Sequence, residues 1–425
     1  MLKTLLRERR FWPLFLTQAL GAVNDNMFKN ALVVLAVFRL ARAGPVLVAL
    51  SGGVFLLPFA LFSATAGDLA DGFEKSRLIR LVKFWELGLM ALASVGFFTG
   101  NFIVLMAVLL GLGVQATFFS PLKYGILPDL LSGAELVAGN GLVEAGTFIG
   151  ILLGTLAGGI LVLMPGGAWF ASGACLTVAV LGIASAFWIP PTRVAAPQVH
   201  PVWNIWRESL GLVRLAMKNP PVWFAVRGIS WFWAVGATLL AAFPTLARHV
   251  LHADVHVVTL MLGVFAVGVG IGSLAVARFV HSNTLLSYVA PAGLGVSVFT
   301  ADFAHTALHA GHLASIQAVF ACWAGWHMLA DLLLLAAFGG GFSVPLYVLL
   351  QERSLPSHRA RMVGANNIMN AVASVLAAGL TAGLYAARIG APTVLLLAAF
   401  GNLLVVFWIF RQVRHGGYHG SSVPS

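Results

Sequence analysis

The sequence predicts an all-α integral membrane protein with twelve transmembrane helices arranged in two pseudo-symmetric six-helix bundles. Three observations lead to this fold class: the composition, the regular recurrence of long apolar runs, and an internal repeat. Of the 425 residues, 60% are hydrophobic and 9% are charged, whereas about a quarter of the residues in an ordinary soluble domain are charged. Because so few charged side chains cannot cover a water-soluble protein of this size, we expect the helices to contact lipid.

Apolar runs of about 20 residues, the length that crosses a hydrocarbon layer of roughly 30 Å, recur along the whole chain. They are too long and too uniformly apolar for the alternating strands of a β-barrel. The first run contains Asn24, Asp25 and Lys29 and exceeds the length of a signal peptide, so we expect an uncleaved first span. The twelve predicted spans are Phe11–Phe38, Pro45–Ala66, Leu78–Phe98, Phe102–Phe119, Leu136–Met164, Ala168–Ile189, Val222–Leu246, Val257–Phe279, Thr284–Phe303, Trp326–Leu350, Met362–Ala387 and Pro392–Phe410.

The basic residues are distributed unequally between the two sides of this topology. Eighteen of the 25 Lys and Arg residues fall at the termini and in the even-to-odd connections, whereas the opposite side has only Arg39, Arg42, Arg248 and Arg388. Since cytoplasmic loops carry the excess of Lys and Arg, both termini are predicted to be cytoplasmic. The net charge of +11 therefore indicates orientation and attraction to an anionic inner leaflet, and not binding of nucleic acid.

An internal repeat divides the chain near its middle. The segment Leu136–Ala145 is similar to Met362–Ala371, so that Asn140 corresponds to Asn366 and Glu144 to Asn370, 226 positions later. The predicted domains are an N-terminal six-helix bundle (1–190), a cytoplasmic linker (191–221) and a C-terminal six-helix bundle (222–425). The linker is predicted to contain a surface helix, Trp203–Lys218, and the second bundle an external interfacial insertion at His305–Trp323.

Two parallel sets of six helices joined by a long cytoplasmic loop resemble the major facilitator transporters, whose substrate sites lie near the membrane midplane. The segment Gly67–Arg77 resembles the signature loop of that superfamily, G-x-L-A-D-R-x-G-R-K, at Gly67, Leu69, Ala70, Asp71 and Lys75. It differs where Gly72 and Glu74 replace the expected arginine and second glycine.

Three further segments resemble the bacterial lysophospholipid transporters, including the forms fused to acyltransferases. They are Gly21–Leu32, Ser120–Leu127 followed by Asn140–Ala145, and Val344–Arg353 followed by Ala365–Asn370. The chain departs from some relatives late in the seventh helix, where Thr238–Ala241 stands in place of an arginine; Arg227 lies closer to the cytoplasm.

This resemblance implies a function and a set of partners. We expect the protein to move lysophospholipids such as lysophosphatidylethanolamine from the outer to the inner leaflet of a bacterial inner membrane by alternating access, for reacylation. We also expect a monomer without cofactor, surrounded by membrane lipids, and a separate cytoplasmic acyltransferase as its partner.

Polar residues inside the spans are the candidate binding residues. Asp25 lies about 21 Å along the first span, near the midplane, where a carboxylate is costly and therefore a functional candidate. Lys29, one turn further on, is its expected ion-pair partner. The alternative to a binding role is structural: Asp25 and Lys29 would only neutralise each other or form hydrogen bonds to neighbouring helices. The expected binding or cavity residues are Asn24, Asp25, Lys29, Asn140, Glu144, Asn366 and Asn370.

The cytoplasmic rim supplies a second group of candidates. Residues at the ends of the fourth and tenth spans match the family motif and are expected to contact the headgroup or form an inner gate. Those of the signature loop are expected to hold the inward-closed interface. The rim residues are Asp71, Lys75, Arg77, Lys123, Tyr124, Gln351, Glu352 and Arg353. Lys83, Glu86, Arg227 and Asp331 are further charges within spans, for which an ion pair and a path-lining role stay open.

Several patterns favour packing or chance over function. Gly146, Gly150, Gly154 and Gly158 form a stripe that allows close helix approach. His249–Asp254 fits the acyltransferase pattern H-x4-D, but on the external side and without a phosphate-binding motif. His305, His309 and His312 lack carboxylates at ligand spacing, and Cys175 and Cys322 show no disulfide or metal pattern, so no catalytic or metal site is expected.

Two other functions remain open at this point. A proton-coupled exporter of amphipathic drugs or small solutes would use Asp25 or Glu144 as its proton carrier. A membrane-bound acyltransferase would require the H-x4-D pattern on the cytoplasmic face.

Overall fold

The computed structural model describes residues 2–39, 44–197, 205–280 and 285–415, and is all-helical over these ranges. Arg42, residues 198–204 of the predicted linker and Thr284, the predicted start of the ninth span, lie outside the described residues. The helices are α1 (Leu2–Leu5), α2 (Trp12–Arg39), α3 (Gly44–Gly72), α4 (Lys75–Thr99), α5 (Phe102–Leu130), α6 (Ala134–Leu163), α7 (Gly167–Ala186), α8 (Ile205–Met217), α9 (Pro220–His249), α10 (Val255–Phe279), α11 (Val289–His309), α12 (Ile316–Ala321), α13 (Trp323–Glu352), α14 (Arg359–Ala386) and α15 (Ala391–His415).

Twelve of these helices, counted within the described ranges, have 20 or more residues, which confirms the predicted fold class. Eleven are long and apolar enough to cross a membrane. The twelfth, α2, contains the polar stretch Asn24–Asn30, which lowers its hydropathy. Large apolar side chains such as Ile103, Trp169 and Phe279 are more than 70% exposed, as expected for helices that face lipid.

The helices differ from the predicted spans mainly at their ends. Helix α5 continues eleven residues beyond the predicted end at Phe119, through Pro121 and Pro128, because hydropathy falls at the membrane edge while the helix itself continues. The predicted interfacial segment at 305–323 is divided between the last turn of α11, a loop and the short helix α12. Helix α8 occupies most of the predicted surface helix and packs against α3.

The turn between α4 and α5 shows how local sequence sets a helix boundary. Gly100 ends α4 in the left-handed region with φ of 66°, a conformation that glycine adopts without steric cost. The side chain of Asn101 then accepts hydrogen bonds from the backbone N–H groups of Ile103 (3.0 Å) and Val104 (3.3 Å). This N-cap satisfies two donors that the first turn of α5 would otherwise leave unpaired.

The chain divides into two compact units. Unit 1 comprises Met1–Gly139, Gly146–Trp223 and Leu350–Ala371, and unit 2 comprises Asn140–Ala145, Phe224–Leu349 and Val372–Ser425. The sequence-based domain boundaries stay a prediction.

Unit 1 has an apolar core to which five of its helices, α2, α4, α5, α6 and α7, contribute buried side chains. Met27 and Phe28 of α2 pack with Met90 of α4, Leu109 of α5 and Cys175 of α7, all at most 2% exposed. Within the unit, α3 also packs on α5, and α4 and α2 both pack on α7. These contacts place the polar stretch of α2 next to the middle of α4 and α5.

The glycine stripe of α6 lies directly on α2. A Cβ at Gly150 would lie 2.9 Å from the carbonyl oxygen of Ala19, and one at Gly154 would lie 3.0 Å from the backbone nitrogen of Met27. Gly158 approaches the carbonyl of Met27 equally closely. Because α2 carries Asp25, this contact sets where the predicted binding residues of that helix lie.

The substitution Gly154→Ala is expected to lower the free energy of unfolding by about 1–3 kcal/mol, since the added methyl group must separate two backbones. Gly173→Ala on α7 is the matched control, because nothing lies within 4 Å of the added atom. Thermal unfolding of the purified protein in detergent measures both. Equal melting temperatures for the two variants would contradict the close contact.

Unit 2 uses the same packing principle. Gly268 and Gly272 of α10 lie against the backbone of α13, where a Cβ at Gly268 would lie 2.6 Å from the carbonyl oxygen of Leu333. Asn402 of α15 donates to the carbonyl of Gly293 and to Ser297 Oγ on α11, both at 2.8 Å. Helices α11 and α15 are therefore joined by buried hydrogen bonds as well as by apolar contact.

Candidate functional site

A buried polar cluster surrounds Glu86 in the interior of unit 1. Its carboxylate accepts hydrogen bonds from Lys83 Nζ (2.6 Å), from Asn24 Nδ2 on α2 (2.8 Å) and from Gln115 Nε2 on α5 (3.2 Å). All four side chains are at most 4% exposed. We call Asn24, Lys83, Glu86 and Gln115 the Glu86 cluster. Of the two alternatives left open for Lys83 and Glu86, the structure shows an ion pair.

The ammonium group of Lys83 is enclosed by small and aromatic residues. It lies 5.0 Å from the ring centroid of Phe119, within the range of a cation–π interaction. A Cβ at Gly21 would lie 2.6 Å from Lys83 Nζ. The glycine at position 21 is therefore required for the lysine to occupy this place.

Asp25 and Lys29 lie on α2 beside this cluster, but they do not form the predicted contact. Among the described residues, no ion pair joins them: Asp25 Oδ1 is buried without a hydrogen-bond partner, and Lys29 Nζ lies 5.4 Å from the ring centroid of Phe55 on α3. The pairing prediction was wrong because the long lysine side chain reaches the aromatic face of the neighbouring helix. Asp25 therefore has a buried carboxylate oxygen whose hydrogen-bonding capacity is unused.

The repeated asparagines and Glu144 are all on interior faces of their helices. In unit 1, Asn366 is 0% exposed and both polar atoms of its amide lack hydrogen-bond partners, while the adjacent Asn367 accepts a hydrogen bond from Ser120 Oγ (3.2 Å). Asn370, also in unit 1, is partly buried. Asn140 and Glu144 are buried in unit 2. Asn366 can therefore offer a donor and an acceptor to a polar group.

The first turn of α14 is held by carboxylates at the end of α3. Asp71, which is 0% exposed, accepts hydrogen bonds from the backbone N–H groups of Ala360 and Arg361, both at 3.0 Å. Asp68 lies 3.7 Å from the guanidinium of Arg361. Since the N-terminus of a helix carries partial positive charge and unpaired N–H groups, Asp71 stabilises the start of α14.

A second set of ion pairs continues from this contact. Asp129, near the end of α5, binds Lys75 Nζ at 3.0 Å and Arg359 at 3.1 Å. A Cβ at Gly67 would lie 2.9 Å from Arg361 Cα, so the glycine of the signature loop allows the approach. We call this group the α14 clamp; its members are Asp68, Asp71, Lys75, Asp129, Arg359 and Arg361.

Arg77, in contrast, does not belong to the clamp. Its side chain is 83% exposed and lies 3.9 Å from Glu74. Glu74 caps α4: burial by itself would raise its pKa, but hydrogen bonds from the backbones of Thr192, Ser76 and Arg77 lower the pKa below its ordinary value. The cap is therefore charged at neutral pH and is lost only when the pH falls through that lowered value.

The other rim candidates range from buried to exposed. Lys123 Nζ lies 4.6 Å from the ring centroid of Tyr124 on α5. Gln351 is buried, Glu352 is exposed and Arg353 is intermediate. The backbone carbonyl of Gln351 accepts a hydrogen bond from Arg359 (3.2 Å), which connects the end of α13 to the clamp.

An apolar cavity in unit 2 is lined by α9, α10, α11, α13 and α15. Aromatic side chains surround it, including Trp231, Phe232, Phe265 and Phe342. The amide side chain of Asn402 also lines the cavity, and its polar atoms already have partners. Its Nδ2 donates to α11, and its Oδ1 accepts a hydrogen bond from Trp231 Nε1 (2.8 Å). The lining residues therefore offer apolar contact and carry no charge.

Sequence reasoning missed Gln115, Asp129, Arg359 and Arg361 as members of these groups. A signal existed for Gln115, which is a polar residue in an otherwise apolar run. The other three lie close to loops, where charges are common, and only folding brings them together.

These features define a class of protein. The twelve long helices of the described residues are what the sequence predicted for a major facilitator transporter. Asp71 of the signature loop accepts hydrogen bonds from the first turn of α14. Residues 11–316 match the sequence profile of the Major Facilitator Superfamily. The chain belongs to that superfamily.

A more particular similarity extends over nearly the whole chain. The lysophospholipid transporter LplT of Escherichia coli O9:H4 (strain HS) is 31% identical over 428 residues, which cover 97% of this chain and 98% of the relative. Among solved structures, the human organic anion transporter MFSD10 superposes with a TM-score of 0.74 at 16% identity, covering 94% of this chain and 98% of its own. A bacterial homologue of the iron transporter ferroportin, in an outward-facing state, superposes with a TM-score of 0.71 at 14% sequence identity. The superposition covers 94% of this chain and 98% of the homologue. At these identities the structures support the fold alone.

Proposed function

We propose that this protein transports lysophospholipids, such as lysophosphatidylethanolamine, from the outer to the inner leaflet of the bacterial inner membrane by alternating access. The observation that carries the proposal is the 31% identity to a lysophospholipid transporter over 97% of the chain. A separate cytoplasmic acyltransferase then reacylates the lipid.

The geometry supports an amphipathic substrate. Asp25 Oδ1 and the amide of Asn366 are buried polar atoms without hydrogen-bond partners in unit 1, the kind of atoms that a polar headgroup could bind. The lipid-facing helices are rich in aromatic and aliphatic side chains, and burial of an acyl chain gains about 0.8 kcal/mol per methylene group. Few fixed charges amid apolar walls suit a zwitterionic lipid better than a sugar or an ion.

The orientation follows from the loop charges. We place both termini in the cytoplasm, because 18 of the 25 Lys and Arg residues lie on that side of the topology. Reporter fusions that are active only in the cytoplasm are expected to work at both ends. Activity of a periplasmic reporter at the C-terminus would reverse the orientation.

Purified protein in liposomes is expected to move fluorescent lysophosphatidylethanolamine between leaflets faster than empty liposomes do. Asp25→Asn is expected to lower the initial rate at least about tenfold, which corresponds to loss of an interaction of about 1.4 kcal/mol in the transport barrier. Glu208→Gln is the matched control, because Glu208 lies on α8, outside the long helices, and we expect its rate to stay within about twofold of wild type.

Two outcomes would contradict the proposal, and a third would contradict only the role of Asp25. A rate equal to that of empty liposomes would refute lipid transport. Drug-stimulated proton movement without lipid movement would favour an exporter. An equal loss of rate in Asp25→Asn and Glu208→Gln would leave transport intact as a function but would remove Asp25 from the binding site.

A further inference from the structure

Three side chains with metal-binding atoms meet in unit 2, where α11 ends and α13 begins. His327 Nε2 lies 3.2 Å from Asp302 Oδ2 and 3.6 Å from Asp331 Oδ2, and the three ligand atoms all lie within 4.8 Å of one another. His327 and Asp331 are four residues apart on α13 and therefore share one face of that helix. Asp302 approaches them from α11.

We propose that Asp302, His327 and Asp331 form a binding site for one divalent transition-metal ion of the Zn²⁺ class. Zinc binds imidazole nitrogen and carboxylate oxygen at about 2.0–2.2 Å in a tetrahedron, whose edges are then about 3.3–3.6 Å long. The two distances from His327 are close to that edge length. Three protein ligands leave a fourth position for water.

The burial of Asp331 is an independent argument for a cation. Its side chain is 3% exposed, and its Oδ2 atom, which faces His327, has no hydrogen-bond partner. Within the described residues, His327 is the only ion-pair partner of either aspartate. A buried carboxylate oxygen without a partner is costly, and a bound divalent ion would compensate the charge of both aspartates.

The surroundings suit a site that an ion can enter. The side chains of Asp302 and His327 are 43% and 37% exposed, so the ion has access from the surface. The other ring nitrogen of His327 lies 3.5 Å from Thr306 Oγ1, a position from which the hydroxyl can orient the imidazole, as second ligand shells commonly do. A bound ion would join the end of α11 to the start of α13.

Other histidines near this end of unit 2 supply the matched control. The rings of His305 and His309 are 4.4 Å apart, four residues apart on α11, and could bind zinc adventitiously. His309 Nδ1 already lies 2.9 Å from the carbonyl of His305. His309→Ala therefore tests whether any observed zinc binding takes place at His305 and His309 and not at the proposed site.

The experiment is calorimetric titration of the full chain in detergent, without a histidine tag, with ZnCl₂. Wild type is expected to bind one Zn²⁺ per chain and to unfold at a higher temperature when zinc is present. Both His327→Gln and Asp331→Asn are expected to weaken binding at least about tenfold and to lose the thermal shift, while His309→Ala keeps both. Substitution with Co²⁺ adds an independent readout, because tetrahedral Co²⁺ absorbs visible light and His327→Gln should lose that absorption.

Two results would overturn the site. The first is that the wild-type protein binds no stoichiometric Zn²⁺. Asp302, His327 and Asp331 would then be a group of hydrogen-bonded side chains without a metal. The second is loss of binding in His309→Ala with retention in His327→Gln. Unfolding of each variant without metal is measured alongside, so that a variant that fails to fold is replaced by Asp302→Asn, which alters the most exposed ligand.

Discussion

Replacing Glu86 with leucine is expected to lower the free energy of unfolding by about 3–5 kcal/mol, the cost of leaving a buried charge without its partner. Lys83 Nζ is 0% exposed and depends on the Glu86 carboxylate at 2.6 Å. The same substitution removes the acceptor for the amides of Asn24 and Gln115. Thermal or denaturant unfolding of the purified protein measures the effect.

The double variant Lys83→Met/Glu86→Gln separates charge from shape. It removes both charges, while the amide carbonyl introduced at position 86 can still accept hydrogen bonds from Asn24 and Gln115. We therefore expect it to be more stable than Glu86→Leu by at least about 1 kcal/mol. Buried ion pairs are often replaceable in this way, because desolvation offsets most of their attraction. A double variant as unstable as Glu86→Leu would show that the ion pair itself is required.

The substitution Asp71→Ala is expected to cost about 2–4 kcal/mol, since it leaves two backbone N–H groups at the start of α14 without their charged acceptor. Asp71→Asn keeps one carbonyl acceptor and should cost about half as much. Arg77→Gln is the control from the same loop: its side chain is 83% exposed, and we expect less than about 0.5 kcal/mol.

Hydrogen exchange locates the Asp71 effect. Amides in the first turns of α14 are expected to exchange faster in Asp71→Ala, whereas those of α15 keep their wild-type rates. Uniform acceleration along the chain would point to global loosening and against a clamp that acts on α14.

Much of the fold could be predicted from the sequence because hydropathy is a local property. Runs such as Ala168–Ile189 correspond closely to α7, since twenty apolar residues have one stable conformation in lipid, the helix. The ends were less predictable: α5 continues to Leu130 because a helix does not stop where its side chains become polar. The interpretation of Gly146–Gly158 as a packing stripe agrees with the contacts of α6 on α2.

The candidate site was harder to predict than the fold. Polar residues in apolar spans, such as Asn24, Asp25 and Glu86, were recognisable one by one, but their partners were not. The nearest sequence partner of Asp25 was Lys29, four residues on, yet that lysine lies against Phe55. The metal-ligand group escaped notice for the same reason, because Asp302 and His327 are 25 residues apart on different helices.

The class of this protein can be inferred from the amino-acid sequence: its membrane character, the number of spans, the bias of basic loops and the resemblance to lysophospholipid transporters. These properties follow from the composition, the spacing of the apolar runs and the sequence motifs, none of which depends on how the helices pack against one another. Helix packing determines which charges are paired: Glu86 lies at the centre of a buried cluster, Lys29 lies against Phe55, and Asp71 holds the start of α14. A polar group in a low-dielectric interior is stabilised mainly by partners within about 3 Å, and the packing of helices from distant parts of the sequence supplies those partners.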